Sequence, residues 1–249
     1  MRRGWLYFPG ASFVPTNISG CILWLDGTDP AGNGSPPSDG TSISTWVDKS
    51  GQGNNFTQGT SARQPVFKTG VVNSAASIKF VRANNNYLIQ SGTTFLTSGA
   101  SFYMAWILTP TAISSSSYFF FQGKLNSHPP VLGLSSTTVQ VAADAASWSN
   151  GLYGTTISAN STILLEYTYN GSGATTNGNF TVSVNGSSLT RTGNNSGWGS
   201  GNNALGGDNN ADPTLSFDGY KSEVVFYNNI PSGSNLTLLR NYFLSRWNY

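Results

Sequence analysis

The chain has 249 residues, only 9% of them charged, and 12 Lys and Arg against 10 Asp and Glu leave a net charge of +2; an ordinary soluble domain carries about 25% charged residues. Aromatics reach 13% (7 Trp, 11 Tyr and 14 Phe), ample material for a packed core and unlike a disordered chain. No basic cluster exceeds Arg2-Arg3 and no apolar run nears the ~18 to 20 residues that cross a bilayer, so neither a nucleic acid nor a membrane is expected as a partner.

Residues 1–19 are apolar and aromatic without clean periodicity, and Pro9 and Pro15 mark them as an extended arm. Within it Trp5, Leu6, Tyr7 and Phe8 form a cluster that either packs along the body or docks on a partner. The apolar stretch at Met1 is about four residues long, whereas a secretion signal needs about 7 to 15. Residues 21–25 read as a short buried strand, 29–42 as a Gly/Pro/Ser/Asp loop and 51–60 as a second polar loop. Residues 76–81 alternate with period two, as a half-buried strand does, and 101–108 are apolar on both faces, as a central strand is. Residues 118–121, 131–134 and 139–142 supply further short strands, followed by a β-branched and aromatic strand over 162–169. Residues 180–184 alternate and meet Asn185-Gly186, a dipeptide that tolerates positive φ in a type I′ turn, with the chain returning over 188–192. Residues 223–227 are the last strand.

One segment reads as a helix. Leu236, Leu239, Phe243 and Trp247 are spaced by three or four and share a face. Ser234 is the expected N-cap, and Arg240 and Arg246 lie toward the negative end of the helix dipole. The helix is expected to cover one end of the β body.

Two motifs open the chain, Cys21-Ile22-Leu23-Trp24-Leu25-Asp26-Gly27 and Trp46-Val47-Asp48-Lys49-Ser50-Gly51-Gln52-Gly53-Asn54-Asn55. Phe217-Asp218-Gly219-Tyr220-Lys221-Ser222-Glu223-Val224-Val225-Phe226-Tyr227 and the final helix close it. Together they resemble the laminin-G-like / concanavalin A-like β-sandwich family, in the branch common in bacterial surface proteins and bacteriophage virions. The resemblance covers roughly residues 20–248. It implies an all-β antiparallel sandwich of jelly-roll type over 20–249, preceded by the arm at 1–19, with the first and last strands paired. It also implies that Asp48 and Asp218 organise their loops by accepting backbone N–H bonds.

The chemistry-bearing residues are few. Sandwich-type glycoside hydrolases need two carboxyl groups about 5 to 9.5 Å apart, and their closely spaced Glu-x-Asp-x-x-Glu cluster is absent from a chain with two glutamates, Glu166 and Glu223. Glu166 reads as a satisfied polar group or a solvent-facing strand position. The one histidine, His128, sits in a Pro-bounded loop, and the one cysteine, Cys21, opens an apolar strand as a buried, inert thiol. One cysteine allows no internal disulfide, and one Cys with one His makes a poor zinc site. Catalysis is not expected. Calcium is the metal to test: Asp208 and Asp212, in Asp208-Asn209-Asn210-Ala211-Asp212, have alternating oxygen ligands suited to a hard cation, although Asp and Asn also serve turns.

Sugar binding asks for flat aromatic faces beside amide groups. The candidates are Trp148, Asn150 and Tyr153 in one stretch read as loop, and Trp198, Asn202 and Asn203 in another. The expected function is a non-catalytic structural or adhesion protein of a virus particle, docking on capsid or tail proteins through the arm. The alternative is a carbohydrate-binding module of a bacterial surface or secreted protein. Host or environmental glycans and a second copy of the chain are further expected partners.

Overall fold

The computed structural model describes residues 12–90, 100–113, 117–122, 131–135, 138–142, 150–154, 157–170, 180–195, 203–206 and 216–249. The strands between 117 and 154, Val139 excepted, and residues 180, 191–195 and 203 are described as backbone. Among the described residues, two antiparallel sheets and one α-helix make up the fold, as the sequence and its family resemblance predict.

The first sheet contains β1 (Cys21–Asp26), β4 (Val66–Val72), β5 (Ala75–Phe80), β7 (Phe102–Pro110), β12 (Ile163–Tyr169), β13 (Phe180–Val184), β14 (Ser187–Ser188) and β17 (Gly219–Tyr227). Its order is β14-β13-β12-β7-β17-β5-β4. The last strand, β17, is its axis. One edge of β17 pairs with β7, and the other is shared by β5 at Gly219–Lys221 and β1 at Glu223–Tyr227. Asp26 therefore lies opposite Glu223, and the first and last strands pair, as the family resemblance implies.

The second sheet contains β2 (Thr45–Trp46), β3 (Phe56–Thr57), β6 (Leu88–Gln90), β8 (Ser117–Gln122), β9 (Val131–Ser135), β10 (Thr138–Ala142), β11 (Asn150–Gly154), β15 (Arg191–Asn195) and β16 (Asn203–Leu205). Its order is β15-β11-β10-β9-β8-β16-β6-β3-β2. Asn185 and Gly186 take φ of 51° and 78°, so the predicted tight turn forms. The return is shorter than expected: it pairs for two residues as β14, and the chain then crosses to the second sheet as β15.

Strand β7 shows why this sequence gives three layers. Phe102, Met104, Trp106 and Leu108 face the second sheet, where they meet Trp46, Phe56, Leu88, Val139 and Leu205 in one apolar cluster. The alternate residues Tyr103, Ala105 and Ile107 face the opposite way, with Leu164, Val225 and Tyr227, and α1 (Gly233–Trp247) packs on them. A strand buried on both faces reads as a continuous apolar run, not as an alternation. Leu239, Phe243 and Trp247 are the helix's buried face, each contributing about 1.5–3 kcal/mol of burial.

The helix thus lies across the face of the first sheet and not over an end of the sandwich, because the central strands offer apolar side chains outward. Its cap is Ser232, whose side chain accepts from the Asn235 N–H at 3.4 Å, and Ser234 is inside the first turn. The C-terminal end turns at Asn248, φ 46°. Residues 12–19, the described part of the arm, belong to the same layer. Phe13 stacks edge-to-face on Tyr242 at 5.7 Å, Ile18 is buried, and the Pro15 carbonyl accepts from Tyr227 Oη at 2.8 Å.

Candidate functional site

Both glutamates are committed to holding the helix. Glu166, on β12, accepts from Tyr103 Oη at 2.6 Å, Ser183 Oγ at 2.8 Å, and Arg240 Nε and Nη2 at 2.9 Å each. It is the satisfied polar group expected, not a solvent-facing one. Glu223, on β17, accepts from Trp24 Nε1 at 2.8 Å, Trp247 Nε1 at 2.7 Å and Tyr242 Oη at 2.7 Å, with Arg246 Nη1 at 3.3 Å. Arg246 also reaches Asp26 at 3.0 Å, and Lys49 joins Asp26 to Asp29 at 3.1 Å on each side. The two arginines seen in the sequence near the helix's negative end are ion-pair partners across to the sheet.

These groups perturb one another. Burial resists ionisation of Asp26, but Arg246, Thr28 and Lys49 outweigh it and hold its carboxyl below the usual range. Burial raises Glu223, with Arg246 pulling back and Asp26 adding to the rise. Burial, helped by Asp48, pushes the Cys21 thiol up to about 12, so it is inert although only half-buried.

The other described acids also serve the chain itself. Asp48 accepts from the N–H groups of Trp24 (2.9 Å), Ser50 (2.8 Å) and Asn54 (2.9 Å), the loop-organising role its motif implies. Asp218 does so differently from expectation, accepting from Thr111 Oγ1 at 2.8 Å while its carbonyl takes the Thr111 N–H. Asp29 accepts from Asn33 and Gly34 N–H, and Asp39 from Thr69 N–H and Lys68. Among the described residues no cluster of three His, Cys, Asp or Glu is placed to hold a metal. One cation escaped the sequence reading. Lys221 is buried, its ammonium 3.9 Å from the Phe217 ring centre and 5.1 Å from that of Phe80, and burial pushes its pKa well below the ordinary value.

The outward face of the second sheet is open at its β2–β3 edge and covered at β16, where Ala204, in the row of Ile89, is fully buried. On this face Thr45 and Thr57 are exposed and Ile89 half-buried, while their alternates Trp46, Phe56 and Leu88 are fully buried. The register extends this face across the sheet. Val139 is buried in the core, so Gln140 falls on the outward side, opposite Gly133 and Leu152; Phe119 is opposite Gly133 and Gly193 opposite Leu152.

The predicted sugar-contact residues distribute unevenly. Trp148, Trp198 and Asn202 lie outside the described residues, as do Asp208, Asp212, His128 and the cluster Trp5, Leu6, Tyr7 and Phe8. Asn150 and Tyr153 are in strand β11, not in a loop, and Asn203 begins β16. Asn150 sits opposite Asn195 of β15, so the stretches that carry Trp148 and Trp198 leave neighbouring strand ends. Tyr153 is opposite Val139, on the core-side row. Asn203, opposite Gln90, is five strand steps from β15, about 24 Å at normal strand spacing. Of the candidates that are described, Asn150 and Tyr153 share β11 while Asn203 stands in a separate part of the sheet.

No protein-family model matches this sequence, and no curated protein sequence matches it. Solved structures do resemble it. The binding domain of Paraclostridial Mosquitocidal Protein 1 superposes with a TM-score of 0.60 at 13% identity, over 93% of this chain and 53% of that one. Trypanosoma rangeli sialidase in complex with 2,3-difluorosialic acid gives 0.53 at 15% identity, over 92% and 33%. A structure of botulinum neurotoxin type C, whose cell entry depends upon interaction with two ganglioside molecules, gives 0.50 at 10%, over 92% and 52%. What they share with this chain is the β-sandwich. The chain spans about a third to a half of these proteins.

Proposed function

We propose that this chain is a non-catalytic carbohydrate-binding module that holds its ligand on the outward face of the second sheet. The observation that supports this most is the asymmetry of the sandwich. One outer face is covered by α1 and residues 12–19, while the other is exposed at Thr45 and Thr57 and ends, at its opposite edge, in the paired positions Asn150 and Asn195, from which the chain leads to Trp148 and Trp198. Structures of the same fold include a toxin binding domain and a toxin whose entry depends on gangliosides, which favours the adhesion reading. The non-catalytic part rests on Glu166 and Glu223, both held in ion pairs against the helix. A carboxylate needed as acid or nucleophile would have to reach the substrate.

The test is a glycan array probed with the purified chain, followed by calorimetry on the best ligand. Saturable binding without release of reducing sugar is expected. Failure to bind any glycan would remove the reading, and release of reducing sugar would remove its non-catalytic part. A role on a virus particle rests on the sequence alone, and copurification with particles is its test. Calcium at Asp208 and Asp212 likewise stands as a proposal, tested by melting with and without chelator.

A further inference from the structure

We propose that two copies of this chain pair through the outward face of α1, their helices antiparallel and crossing at Asn241. The stripe that this helix turns to solvent is Ser234, Thr237, Leu238, Asn241, Leu244, Ser245 and Asn248, spaced by one, three or four along one face. Leu238 is 50% exposed and Leu244 47%, and with Ile230 they are the large hydrophobics left exposed among the described residues. In a two-fold interface each copy offers the same surface, so the surface must complement itself. This stripe reads alike from either end. About Asn241, Leu238 answers Leu244 at three positions on each side, Thr237 answers Ser245 at four, and Ser234 answers Asn248 at seven. An antiparallel crossing at Asn241 therefore sets Leu238 against Leu244 of the second copy, twice. It also brings the two Asn241 carboxamides together at the axis, where each can donate to and accept from the other.

Charge permits the approach. The stripe contains no charged residue, and the arginines that flank it are already held, Arg240 by Glu166 at 2.9 Å and Arg246 by Asp26 at 3.0 Å and Glu223 at 3.3 Å. Two copies therefore meet without a like-charge contact, which would cost several kcal/mol. Desolvation is small as well. Thr237 Oγ1 donates to the Gly233 carbonyl at 2.9 Å and Ser245 Oγ to the Tyr242 carbonyl at 2.8 Å, so neither hydroxyl proton loses its acceptor on burial. Serine at 234 and 245 leaves room for the axes to come within about 8–10 Å. The helix has 15 residues, hence a length of about 22 Å and roughly 500 Å² to bury per copy. The total, about 1,000 Å², stands at the lower limit of a specific interface and fits a weak, concentration-dependent dimer. Because α1 lies on the first sheet, this pairing leaves the second sheet clear in both copies.

Sedimentation of the full chain between about 5 µM and about 1 mM is expected to show a reversible monomer–dimer equilibrium that salt leaves unchanged. Leu238→Glu and Leu244→Lys change exposed positions, so each should keep the melting temperature of wild type. Each alone should weaken self-association at least about tenfold, since it buries an unpaired charge against leucine. Mixing the two variants tests the orientation. In the antiparallel pair the introduced carboxylate meets the introduced ammonium, and leucine still meets leucine across the axis, so association should return and now weaken with salt. A chain that stays monomeric at about 1 mM overturns the proposal. So does a dimer that the folded single variants form as readily as wild type. Single variants that dissociate and do not recover on mixing overturn the antiparallel crossing at Asn241.

Discussion

Replacing Glu223 with leucine should unlatch the C-terminal helix. The side chain is fully buried and is the acceptor for two indole N–H groups, those of Trp24 and Trp247, at 2.8 and 2.7 Å. Leucine has similar bulk and no acceptor, so both N–H groups lose their partner in an apolar layer, at about 1–3 kcal/mol each. Two terms reduce the sum. Arg246 keeps Asp26 at 3.0 Å, and the carboxylate's own burial, which raises its pKa, is relieved. The expected net loss is about 3 kcal/mol, a fall in Tm of about 6–12 °C for a domain of this size. Urea denaturation followed by tryptophan fluorescence measures it. Trp247→Phe should then cost less in the Glu223→Leu background than in wild type, because its N–H is already orphaned. A Glu223→Leu protein within about 1 kcal/mol of wild type would show that these hydrogen bonds do not hold the helix.

Two further predictions concern other parts of the clasp and the sheet. Because Asp26 has a depressed folded pKa, its contribution is complete above the ordinary aspartate value and is lost as pH falls through the depressed one. Asp26→Asn should therefore be about 2 kcal/mol less stable at neutral pH and lose less below about pH 4; parallel acid slopes in urea titrations would count against this. Gly219→Ala would put a Cβ 2.4 Å from the Thr109 carbonyl at φ 150°, whereas Gly186, at φ 78°, has open space around it. The first should cost more than about 3 kcal/mol and the second about 1 kcal/mol, and equal losses by denaturant titration would refute the packing argument.

Strands β5, β7, β10, β12 and β13 and the helix were legible because their apolar periodicity is strong and local. So was the Asn185-Gly186 turn, since positive φ at both positions leaves few residue choices. Strands β11, β15 and β16 were not. Asn150-Gly151-Leu152-Tyr153-Gly154 and Arg191-Thr192-Gly193-Asn194-Asn195 have the composition of loops, and neighbouring ladders impose their extended form. The sites divide the same way. Asp48 could be read from its motif, since its hydrogen bonds lie mostly within seven residues, while Glu223 and Asp26 take partners some two hundred positions away.

The sequence by itself determined the class of fold, the pairing of its ends through a recognisable pair of motifs, and the scarcity of charge. Tertiary structure alone decided where that charge went: Arg240 and Arg246 cross to Glu166 and Glu223, which fixes the helix on the outer face of the first sheet. The reason is physical. Periodicity tells which residues turn away from water, but only the register between distant strands tells which of two faces they turn toward.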